Sequence, residues 1–250
     1  MNAILYHGEP NGPSLTVLAA LFEKGVPADL VHVDLTRGER HRLEQARGPE
    51  VAMSVEGEGP VLLVEGEAMA DSVFIACYLD DVGEGPALRP RDPYGRWALM
   101  SWCRQIIERT APAAAYLGCR AYPPMPPGDA LARIESADLK ERWQDVLAGR
   151  FADDKVADCE TKIAQAVERI EARRGGEWLM GGFSIADLES YAWLAGMAAL
   201  VPKAFAGKPR TDAWMARVKS RPSVARALAL ARVPDPTRSW APGPEINRWG

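Results

Sequence analysis

The chain has 250 residues and a mass of 27.3 kDa, which fits one large domain or two small ones. Its 30 basic and 34 acidic residues give a net charge of −4 and 47 % of its residues are hydrophobic, which excludes an extensively disordered chain and leaves no strongly basic surface for nucleic acid or an anionic membrane. No apolar run approaches the length of a membrane-spanning helix, which is about 18 residues, and the first residues lack the layout of a secretion signal. We therefore expect a soluble, cytoplasmic protein.

Strand patterns and helical patterns alternate over the first 82 residues. In chain order, the predicted elements are a strand over 3–7, a helix over 13–24, a strand over 29–35, strands over 60–64 and 67–69, and a helix over 71–82. Gly25 is predicted to end the first helix, Gly12 to cap its start because Pro13 favours the first helical position, and Asp71 to cap the second helix. Glu65-Gly66 indicates a hairpin turn. This order predicts a four-stranded mixed sheet in an α/β layer.

The remainder of the chain is predicted to be helical. Residues 83–93, rich in proline and glycine, are a predicted linker, 94–232 are predicted helices, and 233–250, with four prolines, are a predicted tail without regular structure. The first helical signal is a start at Pro93, followed by an apolar stripe of Trp97, Met100, Cys103 or Arg104, and Ile107, with a kink or end predicted at Pro112. A second apolar stripe consists of Val156, Cys159, Ile163, Val167 and Ile170. A capping box at Ser184 and Asp187 starts another helix, and further helices are predicted to start at Thr211 and Ser223.

The four cysteines show no metal-ligand spacing. Cys77, Cys103, Cys119 and Cys159 form no CxxC pair, and the chain has only three histidines. A zinc site is therefore not expected. Cysteines in such apolar surroundings are typical of small buried side chains, and a catalytic cysteine is the less favoured alternative.

Three motifs together resemble the glutathione S-transferase family. They are Gly57-Glu58-Gly59-Pro60-Val61-Leu62, which is similar to the family's G-x-V-P-x-L with a cis proline, Asp71-Ser72, which is similar to its acidic-Ser pair, and Gly182-Phe183-Ser184-Ile185-Ala186-Asp187, which is similar to its capping box. The resemblance covers about residues 1–230. It implies a thioredoxin-like N-terminal domain over 1–82, an all-α C-terminal domain over 94–232, and glutathione as co-substrate.

Other stretches resemble one branch of that family, the bacterial glutathione-dependent β-etherases that cleave lignin-derived aromatics. These stretches are Ser14-Leu15, Leu21-Phe22-Glu23-Lys24-Gly25, Val33-Asp34, and residues 88–96. The branch implies a hydrophobic aromatic substrate, for which Trp102, Tyr116 and Tyr122 are candidate lining residues, although core packing is the favoured role for Trp102.

Ser14 and Asn11 are the candidate catalytic residues. Glutathione reacts as a thiolate, and a hydroxyl donor at a helix N-terminus lowers the pKa of a thiol. Ser14 stands at the start of the first predicted helix, where such a donor is needed, and Asn11 is a possible second donor. The alternative for Ser14 is a purely structural cap.

Five further positions are candidates for holding glutathione. Gly59 and Pro60 would pair their backbone with the bound peptide like an extra strand, with a simple strand-edge proline as the alternative. Asp71 and Ser72 begin a helix whose free N–H groups suit a carboxylate, with capping as the alternative. His41 is similar to a family histidine that holds the glycyl carboxylate.

Several positions depart from the family pattern. Pro13 replaces a residue with a backbone N–H, Ala52 stands where the family has a lysine, and Glu56 and Glu58 add negative charge beside a site for an anionic tripeptide. These departures keep a second hypothesis open, in which the chain is a catalytically silent subunit that supports an active partner. The resemblance implies a dimer under either hypothesis, a homodimer or a heterodimer with a related subunit.

Overall fold

A computed structural model describes residues 2–34, 60–123, 131–132, 134, 136–174 and 176–237. Within them, the strands are β1 (Ala3–His7), β2 (Asp29–His32), β3 (Val61–Val64) and β4 (Glu67–Met69). The α-helices are α1 (Gly12–Lys24), α2 (Ser72–Val82), α3 (Pro93–Gln105), α4 (Ala111–Ala121), α5 (Ala137–Leu147), α6 (Asp153–Glu171), α7 (Ile185–Leu194), α8 (Met197–Leu200), α9 (Pro202–Phe205), α10 (Pro209–Lys219) and α11 (Pro222–Leu228). A π-helical segment, Ile106–Thr110, joins α3 to α4. No helix of this described part is long and apolar enough to cross a membrane.

The four strands form the mixed sheet that the sequence predicts. Their order is β2-β1-β3-β4, with β1 parallel to β2 and antiparallel to β3, and β3 antiparallel to β4. The hairpin between β3 and β4 turns at Glu65 and Gly66, which both have positive φ angles of 51° and 92°, as a type I′ turn requires. β2 ends earlier than predicted, at His32.

Helix α1 starts one residue earlier than predicted, so the prediction of Gly12 as its cap is wrong. The carbonyl of Asn11 accepts the N–H of Leu15, and the residue whose carbonyl accepts the first helical bond is the N-cap. Asn11 is therefore the N-cap, and Gly12 follows it with a left-handed φ of 49°. Ser14 lies inside the helix, as predicted, and Gly25 ends it with a φ of 66°.

One continuous hydrophobic core joins the two sides of the predicted linker. Leu15 and Leu18 of α1 belong to the same buried cluster as Ile185 of α7 and Val224 of α11, and α1 packs against α2, α7 and α11. The sheet therefore rests, through α1 and α2, on helices that follow the linker. The domain boundaries at 82 and 93 remain a prediction.

A buried charge pair fixes the linker to the end of α1. The Nζ of Lys24 lies 3.2 Å from Oδ1 of Asp80 on α2 and also donates to the carbonyl oxygen of Gly85 at 2.6 Å. Asp80 accepts the backbone N–H of Leu88 and the Nε of Arg89, both at 2.8 Å. These bonds hold residues 85–89 of the linker against Lys24 and Asp80.

The buried face of α3 differs from the predicted stripe. Leu99, Trp102 and Cys103 are buried, whereas Trp97 is 62 % exposed. The helix is rotated relative to the prediction because its inner face packs on α7, and a stripe read from spacing alone does not determine which face meets a partner helix. Pro112 is predicted to kink or end this helix. The regular helix α3 ends earlier, at Gln105, and Pro112, which has no N–H to donate, lies in the first turn of α4 after the π-helical segment.

The later helical signals are confirmed. Every residue of the stripe in α6 is buried, and Asp187 accepts both the backbone N–H and the hydroxyl of Ser184 in the predicted capping box. Helices α10 and α11 start at prolines, Pro209 and Pro222, just before the predicted starts. The four cysteines are free thiols, three of them buried.

Candidate active site

Four segments of the chain meet beyond one end of the strands of the sheet. Tyr6 pairs with Val61, so Pro60 lies beside the end of β1. Leu62 pairs with Met69, which brings the chain after β4 to the same end. His32 pairs with His7, the last residue of β1, and because these two strands are parallel they end on the same side of the sheet. The predicted site residues Ser14, Asn11, Pro60, Asp71 and Ser72 therefore cluster around the start of α1.

The Ser14 hydroxyl is fixed by a hydrogen bond from the loop before α1. Its Oγ accepts the backbone N–H of Gly8 at 2.9 Å, and the side chain is only 2 % exposed. A hydroxyl has one proton to donate and two acceptor positions. Because Gly8 occupies an acceptor position, the Ser14 hydroxyl keeps its proton for donation to another group.

The start of α1 carries a partial positive charge that its own first turn does not compensate. The Asn11 side chain makes no capping hydrogen bond, and the first turn has no acidic residue. The first N–H groups of a helix have no partner within the helix and together carry a positive partial charge. This end of α1 favours an anion such as a thiolate.

Asp71 has an unusual backbone conformation. Its φ and ψ are 75° and 117°, and its carboxylate accepts the N–H groups of Val73 and Phe74 at 2.9 and 3.2 Å. The predicted cap is therefore confirmed. A positive φ at a residue other than glycine is strained and is often found at ligand-binding positions. Capping and ligand binding by the backbone here are compatible.

The Ser72 hydroxyl hydrogen bonds to the helical side of the molecule. It donates to Oε2 of Glu189 at 3.1 Å, and the indole N–H of Trp193 donates to Oε1 of the same carboxyl group at 2.8 Å. Glu189 is fully buried, and burial raises its pKa although the hydrogen bonds oppose this. A role of the Ser72 hydroxyl toward glutathione stays a prediction, since the structure gives that hydroxyl an internal partner.

A cluster of ionisable groups that the sequence did not indicate lies beside Ser14. Oε1 of Glu9 is 3.1 Å from Nε2 of His32, and the rings of His7 and His32 meet edge to face with centroids 5.6 Å apart. Burial lowers the pKa of His7, which favours its neutral form. Burial opposes ionisation of Glu9, but hydrogen bonds from His32 and from the backbone of Arg232 outweigh it and lower its pKa. The spacing of these residues along the chain carried no recognisable motif.

The Asn11 side chain is hydrogen bonded to the segment that follows α11. Its Nδ2 donates to the carbonyl oxygen of Pro236 at 2.8 Å. Two other predicted glutathione-binding residues, His41 and Gly59, lie outside the described residues, as do the departures at Ala52, Glu56 and Glu58. Their predicted roles remain predictions.

Two of the three candidate aromatic residues, Trp102 and Tyr116, have structural partners. Trp102 is buried, donates its indole N–H to Ser190 at 2.8 Å, and packs under Arg169. The Tyr116 hydroxyl accepts the N–H of Ala152 at the start of α6. Tyr122 is partly buried just after α4. Core packing of Trp102, the favoured role, agrees with this position.

Two grooves lie away from Ser14. One of about 720 Å³ is lined by the end of α6, the following loop and α10. The other, of about 520 Å³, lies between the start of α2 and α3, and Asp71, Phe74 and Trp97 contribute to its wall. Ser14 lines neither groove.

Comparison with known proteins identifies relatives over nearly the whole chain. Protein LigF of Sphingobium sp. (strain NBRC 103272 / SYK-6) is 25 % identical over 244 residues, covering 90 % of this chain and 92 % of that protein. A glutathione S-transferase of Silene vulgaris is 24 % identical over 239 residues, covering 92 % of this chain and 98 % of the relative. No protein-family model matches the chain.

Solved structures agree with these relatives. The crystal structure of the β-etherase LigF from Sphingobium sp. strain SYK-6 superposes with a TM-score of 0.80 at 24 % identity, covering 92 % of this chain and 99 % of that one. A glutathione transferase from Burkholderia graminis, with two glutathione molecules bound per subunit, gives a TM-score of 0.65 at 22 % identity, covering 92 % and 89 %. The fold predicted from the motifs and the resemblance that they carry are confirmed.

Proposed function

Because the chain has the glutathione S-transferase fold, we propose that it is a glutathione transferase that cleaves β-aryl ethers. In this reaction the glutathione thiolate attacks the carbon that carries the aryl ether, beside a ketone that activates the displacement. A carbon–sulfur bond forms and the carbon–oxygen bond breaks, with its electron pair leaving on the phenolate oxygen, which takes up a proton. The products are a glutathione thioether and a phenol.

The observation that carries the proposal is the placement of the Ser14 hydroxyl. It is held by Gly8 at the uncompensated N-terminus of α1, so both the hydroxyl proton and the helix end stabilise a thiolate. A thiol with a pKa of about 8.5 is only slightly ionised at neutral pH, and a lowered pKa raises the reactive fraction. Similarity to LigF over most of both chains supports the aryl-ether substrate class.

The test is a Ser14→Ala variant compared with a Ser136→Ala control. Ser136 caps α5 with a hydrogen bond to Leu139, so its loss measures what a structural serine contributes, about 1 kcal/mol of stability. We expect Ser14→Ala to slow thioether formation from an aryl-ether ketone by about 100-fold, the scale for removing one donor to a reacting anion. We also expect the rate to need a higher pH, because the thiol pKa rises.

Equal activity of the two variants would contradict the role of Ser14. Calorimetric titration of the unmodified protein with glutathione tests the wider proposal, since a transferase requires binding in the micromolar to low-millimolar range. Protein that binds glutathione but forms no thioether from any aryl-ether ketone would restrict the proposal to a transferase of another substrate class.

A second function is favoured by the closed state of the site. Ser14 and Asn11 are each only 2 % exposed, which fits a catalytically silent subunit that supports an active partner in a heterodimer. No glutathione binding at high concentration, together with a gain of activity when a related subunit is added, would select this alternative.

We further propose that the chain dimerises through the outer faces of α2 and α3. Phe74, Tyr94 and Trp97 are 63, 74 and 62 % exposed there, and exposed large aromatic residues around an apolar groove are typical of protein interfaces. The cytoplasmic location remains a prediction.

A further inference from the structure

The segment after α11 folds back onto the loop that precedes α1. This C-terminal segment, residues 232–237, makes two hydrogen bonds to that loop. The backbone N–H of Arg232 donates to Oε2 of Glu9 at 3.0 Å, and the carbonyl oxygen of Pro236 accepts from Nδ2 of Asn11 at 2.8 Å. Both loop residues stand within five positions of Ser14, although the segment is more than 200 residues away along the chain.

The loop that the segment contacts is buried throughout, whereas the proposed reaction needs the Ser14 hydroxyl to be accessible to glutathione. Every residue from Gly8 to Ser14 is buried. The Asn11 side chain, a candidate donor to glutathione, has its amide N–H engaged by the segment.

Gly196 shows how closely the segment is seated on the helices. A Cβ added to this residue would lie 2.1 Å from the carbonyl oxygen of Thr237, far inside van der Waals contact. Its φ and ψ of −80° and −17° are ordinary for any residue, so the space rather than the backbone conformation requires a glycine here. The junction of α7 and α8 therefore provides a fitted surface for the end of the segment.

The segment also has internal structure. The carboxylate of Asp235 accepts the backbone N–H of Thr237 at 3.2 Å and its hydroxyl at 2.7 Å. Such a turn lets a short polar segment keep one conformation. Because Asp235 is exposed, the turn can be removed without opening the core.

We propose that the C-terminal segment closes the thiol site and has to leave the loop before glutathione binds at Ser14. This inference rests on the proposed function, since it assigns a cover to the same site. A ligand that binds only the open form has its apparent affinity reduced by the open fraction. Unseating the segment should therefore tighten glutathione binding by about 10-fold or more if the open form is a minor state.

The experiment compares Gly196→Ala with Gly182→Ala in the full-length chain. The new methyl group at 196 collides with Thr237, whereas a Cβ at Gly182 meets no atom within 4 Å. Neither residue is one of the proposed site residues. Asp235→Ala is a second, exposed variant that loosens the segment from its own side, and it decides the matter if Gly196→Ala does not fold.

Two readouts separate the possible outcomes. Amide hydrogen exchange over 232–237 reports whether the segment is seated, and calorimetric titration reports the affinity for glutathione. We expect Gly196→Ala and Asp235→Ala to speed the exchange and tighten binding, and Gly182→Ala to match the unmodified protein.

Each other result contradicts the inference in a recognisable way. Unchanged exchange in both variants would mean that the segment is not seated as described. Faster exchange with unchanged or weaker binding would overturn the cover and leave the proposed function intact. Absence of glutathione binding in every protein, even with the segment released, would overturn the proposed function and the cover with it.

Discussion

Glu189 is a carboxyl group buried between the two halves of the fold, and its two oxygens accept hydrogen bonds from Ser72 and Trp193. Burial raises its pKa above the ordinary value. A raised carboxyl pKa means that the folded state binds the proton more tightly than the unfolded state. The contribution of Glu189 to stability is therefore present at low pH and is lost as the pH rises through the folded-state pKa.

Replacing Glu189 with glutamine should remove this pH dependence. We expect Glu189→Gln to gain stability relative to the unmodified protein as the pH rises from about 4 to 8, because the amide keeps the shape without a charge to bury. Glu189→Ala should be less stable than Glu189→Gln by about 3 kcal/mol at every pH, since it leaves a cavity and two buried donors. Urea unfolding over this pH range measures both, with the exposed Glu160→Gln as the control. A difference in the free energy of unfolding between Glu189→Gln and the unmodified protein that does not change with pH would contradict the prediction.

At single residues, the sequence predicted local roles better than distant ones. The capping bonds of Asp71 and of Asp187 span two or three positions, so residue types and spacing are enough to predict them. The bond from Ser72 to Glu189 spans 117 positions and that from Arg232 to Glu9 spans 223. Such pairs form only when packing brings distant segments together, and no local pattern encodes them.

At the level of elements, the linker is anchored by the pair of Lys24 and Asp80, whose side chains are 3 and 7 % exposed. Burial alone would raise the pKa of Asp80, but hydrogen bonds from Arg89, the backbone of Leu88 and Lys24 lower it. The ionised carboxylate therefore stabilises the fold above its unfolded-state pKa, and this contribution is lost as the pH falls.

Asp80→Asn should cost about 3 kcal/mol at neutral pH, because it leaves the buried ammonium of Lys24 without its partner. Asp81→Asn is the matched control: Asp81 pairs with the same arginine as Asp80, but its side chain is 66 % exposed, and exposed pairs contribute about 0–1 kcal/mol. The free energy of urea unfolding at pH 7 and near pH 3 checks the sign, since the cost of Asp80→Asn should shrink in acid. Equal costs for the two variants would show that the buried pair does not anchor the linker.

The boundaries of helices that are marked by glycine or proline were predicted closely, whereas the buried face of a helix was predicted less well. Gly25 and Pro93 end and start helices through their own backbone preferences, and the structure has both boundaries. The stripe through Trp97 and Met100 has helical spacing, yet Leu99 and Trp102 turn inward. Which of two adjoining faces is buried depends on the neighbouring helix, here α7, and that neighbour is not encoded within the element.

For the whole molecule, the exposed aromatic surface formed by Phe74, Tyr94 and Trp97 tests the proposed dimer. The rings of Tyr94 and Trp97 contact each other with centroids 5.4 Å apart, beside the groove between α2 and α3. Aromatic residues at the centre of an interface commonly contribute about 2 kcal/mol or more each. Because these three side chains are exposed in the single chain, replacing them leaves its core unchanged.

We expect the double variant Phe74→Ser and Trp97→Ser to shift a dimer to a monomer, with the apparent dissociation constant raised by at least about 30-fold for a loss of about 2 kcal/mol. Light scattering with size-exclusion chromatography over a concentration series measures the mass. Leu147→Ser, which removes an exposed leucine at the end of α5, is the control and should not change it. A dimer that survives the double variant would place the interface on another surface. The unmodified chain could instead be monomeric alone and pair only with a related subunit. That result would support the heterodimer alternative, because the same aromatic surface would then bind the related subunit.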